Sequence, residues 1–215
     1  MMSDRGGVNY CGHDVIGHMS TPPSSSAFPL TFTAGGLFGH ESRLIAERLL
    51  AGQTWDEIHQ AVFTENVLQV TRHSSVKRLY GELQQRVQTL NQRQWWLLVH
   101  GQPNEHQAVL WLAACRHYPF VARFAGMLHQ RYQHMQYRVD YGEYAYFYAQ
   151  LAEEYPRLLT LTTHTQNKMR SVIYKMAREA GILTQRHDVV SIFLSQAFVD
   201  TLSHHDELLF FPGAV

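Results

Sequence analysis

Two groups of basic residues in this sequence have the spacing to bind an anion. Arg72-His-Ser-Ser opens a helical pattern, with Lys77 and Arg78 close behind. The first turn of a helix carries free backbone amides and the positive end of the macrodipole, so Ser74, Ser75 and the neighbouring cations would offer a phosphate both hydrogen bonds and charge. The second group, Lys168, Ser171, Lys175 and Arg178, recurs at intervals of three, four and three. At about 100° per residue these positions form one narrow stripe on a helix. Arg170 lies on the same segment, and Arg86 on the Gln- and Arg-rich face of the helix that Ser74 opens. The candidate nucleic-acid contacts are therefore Arg72, Ser74, Ser75, Lys77, Arg78, Arg86, Lys168, Arg170, Lys175 and Arg178. The same residues also fit plainer readings, a serine cap with a solvated basic face and an ordinary amphipathic helix. Contacts of this kind go to phosphates, which implies affinity that falls steeply with salt and carries little sequence information.

Other chemistries lack their parts. The sequence contains no G-x-x-x-x-G-K-[ST] loop, no G-x-G-x-x-G and no H-E-x-x-H, so nucleotide-driven and zinc-protease chemistry are not expected. There are 14 histidines, but His129 and His134 are five apart and His204 and His205 are adjacent, so neither pair shares a helical face, and no metal or other cofactor is expected. Cys115 lies in the apolar run Ala108 to Cys115, which points to a buried, inert thiol beside Arg116 and His117. No nucleophile and base pair is nominated, so the chain reads as non-enzymatic, without a small-molecule substrate. The aromatic run Tyr141, Tyr144, Tyr146, Phe147 and Tyr148 has the groups to stack on bases, yet its spacing favours helix packing.

The elements that must position these residues are helices. Hydrophobic residues make up 45% of the 215 positions and charged ones 17%, with 18 basic against 18 acidic residues. Residues 1–29, with a Pro-Pro-Ser-Ser-Ser run and no sustained period, are expected to be a disordered extension. They lack the apolar core of a secretory signal, and the longest apolar run falls well short of the roughly 20 residues of a membrane span. With two cysteines in all, a cytoplasmic protein without a membrane partner is expected. From residue 30 onward the spacing predicts an all-α, compact multi-helix bundle, with 30–100 and 101–215 as alternative subdomains. Helices are predicted over Glu41 to Ala51, from a Thr54/Glu57 capping box, from Ser74 or Ser75 to Leu90, and over Gln92 to His100, Glu105 to His117, Pro119 to Arg138, Asp140 to Glu154 and Thr165 to Ala180. Ile182 to Ile192 has the make-up of a small β-hairpin around Arg186, His187 and Asp188, which after a basic helix would be wing-like. A closing helix from Ser191 to Ser203 and a docked apolar tail, Glu207-Leu-Leu-Phe-Phe-Pro, complete the reading.

Charge is segregated along the chain. Residues 41–66 hold five acids against two bases, residues 72–93 five bases against one acid, and His106 to Val139 four arginines with no acid. A neutral total thus conceals basic stretches.

Several segments together resemble one family. Phe32-Thr-Ala-Gly-Gly-Leu-Phe, Glu41-Ser, Leu49-Leu-Ala-Gly, Thr54-Trp-Asp-Glu, Glu65-Asn-Val-Leu-Gln69, Ser75-Val-Lys-Arg78, Glu82-Leu and Arg86 to Leu90 look like the first part of the BrxA family of BREX phage-defence systems. Leu161-Thr-Thr-His-Thr165, Asn167-Lys168 and Met176-Ala-Arg-Glu-Ala-Gly-Ile-Leu183 look like its second half. The resemblance spans most of residues 32–200 and rests on the order of the pieces, none of which is a catalytic signature. It implies a small helical protein with a fold similar to the NusB-type RNA-binding antitermination proteins. It further implies DNA as partner, expected to be duplex, with other BREX proteins as further partners and the methylating and ATP-using activities in those components. A protein-interaction scaffold and an RNA-binding protein stand as alternatives. No motif transfers particular contact residues.

Overall fold

The computed structural model describes residues 35–68 and 73–214. The expected N-terminal extension, residues 1–29, and Arg72 lie outside the described residues. The helices are α1 (Gly39–Leu50), α2 (Trp55–Thr64), α3 (His73–Val87), α4 (Gln92–His100), α5 (Pro103–His117), α6 (Pro119–Gln133), α7 (Tyr141–Glu154), α8 (Thr163–Glu179) and the short α9 (Gln196–Val199). Among the described residues, 3-10 segments lie at Pro156–Thr160, between α7 and α8, and at His205–Phe210, after α9. The all-α reading holds, and most boundaries fall within two residues of those predicted.

Local chemistry sets the starts. Thr54 accepts from the Glu57 amide while the Glu57 carboxylate accepts from the Thr54 amide at 2.7 Å, the predicted capping box. Asn91 and Gln94 form the same reciprocal arrangement at α4. Pro103 and Pro119 occupy the first positions of α5 and α6, where a missing N–H loses no helical bond.

The centre of the molecule is α5. Every residue from Ala108 to Cys115 is buried, and Trp111 packs fully inside with its indole N–H donating to the Phe210 carbonyl at 2.9 Å. The apolar run is therefore a core helix, and no helix among the described residues is long and apolar enough to cross a membrane. Helices α1, α3, α4, α6 and α8 pack on α5. A second apolar cluster, Ile45, Ile58, Val62, Leu68, Val76, Tyr80, Leu83 and Val87, joins α1, α2 and α3, with Trp95 against both clusters. The C-terminal segment docks as expected, with Leu208 and Phe211 buried.

Three elements depart from the sequence reading. Helix α6 stops at Gln133 instead of Arg138, because Met135 takes a left-handed conformation with φ 57° and the Gln136 amide turns back to the Arg131 carbonyl at 2.8 Å. The released residues then pair with the segment after α8, Val139 N–H donating to His187 O at 2.9 Å and Val189 N–H to Tyr137 O at 2.6 Å. The expected hairpin is reduced to isolated antiparallel bridges, Leu183 with Val189 and Arg138 with Asp188. The closing helix shrinks to Gln196–Val199, capped by Ser195, so among the described residues no full winged-helix unit follows α8.

Candidate nucleic-acid interface

Folding brings acids to most of the basic stretch that the sequence shows without them. Arg116 makes a two-pronged bond to Glu207 at 2.6 and 2.9 Å, and Arg131 meets Glu143 at 2.7 Å. Arg123 bonds Glu154, and Arg138 stands 3.8 Å from Asp188. All four carboxylates come from later in the chain, which is why counting along the sequence overstated the positive surface. Glu207 is buried, which raises its carboxyl, but the Arg116 hydrogen bonds and charge, together with the Ser203 and His204 amides, outweigh this and hold the group below the ordinary carboxylate range.

Arg86 is a correction. It was expected on an exposed basic face, yet it is only 2% exposed. Its guanidinium donates to the Gly36 carbonyl at 2.8 Å and lies 3.5 Å from Glu82, with the Phe38 and Tyr118 rings 5.3 and 5.1 Å away. The Tyr118 hydroxyl donates to the same Glu82 carboxylate, and burial pushes this phenol up to about 12. Arg86 therefore ties α3 to the segment before α1, and polyphosphate cannot reach it.

The other α3 candidates are exposed. Ser74, Ser75, Lys77 and Arg78 all face solvent, although the helix begins at His73, so neither serine occupies the cap position.

On α8 the two faces separate as the spacing implied. Met169, Ile173, Met176 and Ala180 are buried, while Lys168, Ser171 and Lys175 are exposed and Arg178 is half-buried. Lys175 is not a free cation, because its ammonium lies 3.6 Å from Glu179. The other Glu179 oxygen accepts from the Leu37 amide at 2.6 Å, fixing that carboxylate beside Gly36. Arg170 lies across the Tyr141 ring, its guanidinium carbon 4.2 Å from the centroid.

Tyr141 leads to groups that the sequence reading did not nominate as contacts. Its ring is 5.3 Å from the His187 ring, which is 4.9 Å from Tyr174 on α8. The Tyr174 hydroxyl sits between the Val139 and Asp140 carbonyls at 3.1 and 2.9 Å. Burial lowers the His187 imidazole below its ordinary value, and the nearby Arg178 and Arg138 lower it further against Asp188 and Asp140. Asp140 is already engaged, capping α7 through the Gly142 and Glu143 amides at 2.8 and 3.1 Å. The turn that carries His187 is fixed by Thr184, whose hydroxyl oxygen accepts from the Arg186 and Asp188 amides at 3.2 and 3.0 Å. His187 itself takes φ 65°, and Arg186 is exposed beside it. Thus Arg138, next to the Val139 that pairs with the His187 backbone, and Arg178, one turn along α8 from the Tyr174 that packs on its ring, both depress one imidazole, with Arg170 on the adjoining Tyr141. The only early signal was the Arg186-His187-Asp188 turn. In the aromatic run, Tyr144 and Phe147 are buried and Tyr148 half-buried, whereas Tyr141 and Tyr146 are exposed, so packing takes most of it.

Among the described residues no group of three or more His, Cys, Asp and Glu side chains is placed to hold a metal. Cys115 is buried as the sequence implied, its thiol pushed well up by burial and by the charge of Glu207.

The arrangement has relatives. A "BREX protein BrxA" of Escherichia coli O9:H4 (strain HS) is 27% identical over 188 residues, covering 83% of this chain and 87% of the relative. Another, of Paramagnetospirillum magneticum (strain ATCC 700264 / AMB-1), is 25% identical over 177 residues, covering 80% and 88%. A crystal structure of an uncharacterized protein from Magnetospirillum magneticum superposes with a TM-score of 0.73 at 22% identity, over 85% of this chain and 95% of that one, and so shares the fold. The profile of one family matches residues 26–206, nearly all of the described chain, and the chain belongs to the BrxA family.

Proposed function

We propose that this protein is a non-enzymatic, DNA-binding accessory component of a BREX phage-defence system, acting in the cytoplasm and holding duplex DNA mainly through its phosphates. The observation that carries the reading is the outer surface of α8 and the turn after it. Lys168, Arg170, Arg178 and Arg186 have no carboxylate within ion-pair distance among the described residues, unlike the arginines of α5 and α6. Unpaired cations near an exposed aromatic ring suit a polyphosphate with stackable bases. The exposed Ser74, Ser75, Lys77 and Arg78 of α3, with Arg72, form a second proposed contact.

The test is a mobility shift of a duplex of about 25 base pairs at about 50 mM salt, repeated at rising salt. Phosphate-driven binding weakens linearly in log affinity against log salt, with a slope of about 0.9 per phosphate neutralised. Reversing Lys168, Arg170 and Arg178 to Glu should abolish the shift, and reversing Lys77 and Arg78 should weaken it. Single-stranded RNA added as competitor ranks RNA binding against DNA. No shift for the unaltered protein would sink the reading in favour of a protein-interaction scaffold. That second reading draws on a hollow of about 500 Å³ lined half by apolar residues, Leu50, Trp96, Leu97 and Ala197, and half by polar ones that include Arg93 and Asp200, with Trp96 53% exposed at its wall.

A further inference from the structure

The turn between Leu183 and Val189 lies among four arginines, Arg138, Arg170, Arg178 and Arg186, against two aspartates, Asp140 and Asp188. His187 stands at the middle. From the segment between α6 and α7 it faces Arg138 and Asp140, from the start of α7 Tyr141, from α8 Tyr174 and Arg178, and within its own turn Asp188. Asp140 spends one oxygen on two α7 amides, and Asp188 meets Arg138 at 3.8 Å and also accepts from the Thr184 hydroxyl at 3.4 Å. Arg178 has no carboxylate within ion-pair distance among the described residues, and the Arg138 side chain is 65% exposed despite its partner. The backbone here is fixed by Val139 N–H to His187 O, Val189 N–H to Tyr137 O, Thr184 N–H to Asp188 O and the Thr184 hydroxyl bonds. A rigid frame that holds cations close, leaves them open to water and includes an imidazole is pre-arranged for an anion that both accepts hydrogen bonds and neutralises charge.

Building on the DNA reading above, we infer that Arg138, Arg178 and His187 form a seat for one backbone phosphate of duplex DNA, and that His187 takes up a proton when the phosphate arrives. The phosphodiester brings one negative charge, the imidazole gains a second N–H donor, and the proton comes from solvent, so occupation leaves the net charge of the seat unchanged while adding a donor to the phosphate. Arg186, exposed on the same turn, extends along the strand, and Arg170 on Tyr141 flanks it.

The sign follows from the order of the two states. The free imidazole lies below its ordinary value and the bound one above the free one. Affinity is therefore flat above the bound value, rises as pH falls between the two, and levels off below the free value. Each unit of separation gives about a tenfold rise in affinity across that window.

The experiment uses the full chain and a 25-base-pair duplex carrying a dye insensitive to pH, with anisotropy read from pH 8 to pH 5 at constant salt. The unaltered protein should tighten as pH falls, and His187→Gln should lose most of that rise while still binding at pH 8. Arg138→Glu with Arg178→Glu should weaken binding by tenfold or more. The NMR titration of the His187 ring in the unaltered protein, with and without duplex, needs no substitution and should show an upward shift on binding. If duplex binds but the His187 titration does not move, or His187→Gln keeps the full rise, the seat is refuted and the DNA reading stands. If duplex does not bind at any pH, both fall.

Discussion

Arg86→Ala separates a structural arginine from a binding one. The Arg86 and Glu82 side chains are 2% and 6% exposed, and the guanidinium also serves the Gly36 carbonyl at 2.8 Å. Removing it leaves the Glu82 carboxylate in the interior with Tyr118 as its remaining donor and leaves the Gly36 carbonyl without this one. Breaking one side of a buried pair costs about 3–5 kcal/mol. In a domain of this size each kcal/mol is worth about 2–4 °C, so the melting temperature should fall by about 6–20 °C. Circular dichroism at 222 nm during heating measures it. Arg86→Met combined with Glu82→Gln should recover much of the loss, because neutral groups of similar size fill the site without stranding a charge. A melting temperature lowered by less than about 2 °C, together with a several-fold loss of DNA affinity, would refute the burial of Arg86 and return it to the contact surface.

Thr54→Ala removes the α2 capping box and should destabilise by about 1 kcal/mol, read by urea unfolding with an unchanged m-value. Glu207→Gln loses the charge of the two-pronged Arg116 pair and should cost about 1.5–3 kcal/mol at pH 7. Because the folded Glu207 carboxyl is depressed, its contribution is present above the unfolded value of about 4.3 and is lost as pH falls through the folded value. The gap between the unaltered protein and Glu207→Gln should therefore close in urea melts taken from pH 6 down to pH 3. In a Cys11→Ser chain, the buried Cys115 should react with a disulfide reagent at pH 8 only on the timescale of unfolding, and completion within seconds would contradict its placement.

Which parts of this molecule are legible in its sequence follows from the range of the interactions involved. The Thr54/Glu57 capping box, the Pro103 and Pro119 starts and the apolar spacing of α3 and α8 act within one or two turns, and the structure realises them close to the predicted positions. The end of α6 depends on pairing between Val139 and His187, residues 48 apart, which no local pattern announces. The burial of Arg86 was hidden for the same reason: its partners, apart from Glu82, are Gly36 and Tyr118, 50 and 32 residues away. Read locally, a glutamine- and arginine-rich face looks solvated. Only the fold reveals that a glycine carbonyl and a carboxylate are waiting there.

The same logic sorts the remaining arginines by experiment. A cation that loses water on folding needs an acceptor, so the arginines that found carboxylates at 2.6 and 2.7 Å, Arg116 and Arg131, are those whose side chains are mostly covered. Pairing marks a packing role, whereas an unpaired surface cation, satisfied by water, stays available to an anion. Convergence is the stronger sign, and Arg138 and Arg178 beside His187 show it, whereas Lys77 and Arg78 are placed only by exposure. Single alanine substitutions measured for both melting temperature and the salt slope of DNA binding distinguish these classes. Arg116→Ala and Arg131→Ala should lower the melting temperature and leave the slope unchanged. Arg178→Ala should reduce the slope by about one and leave the melting temperature within about 2 °C. An unchanged slope for Arg178→Ala, with a reduced one for Lys77→Ala, would move the contact surface from α8 to the start of α3.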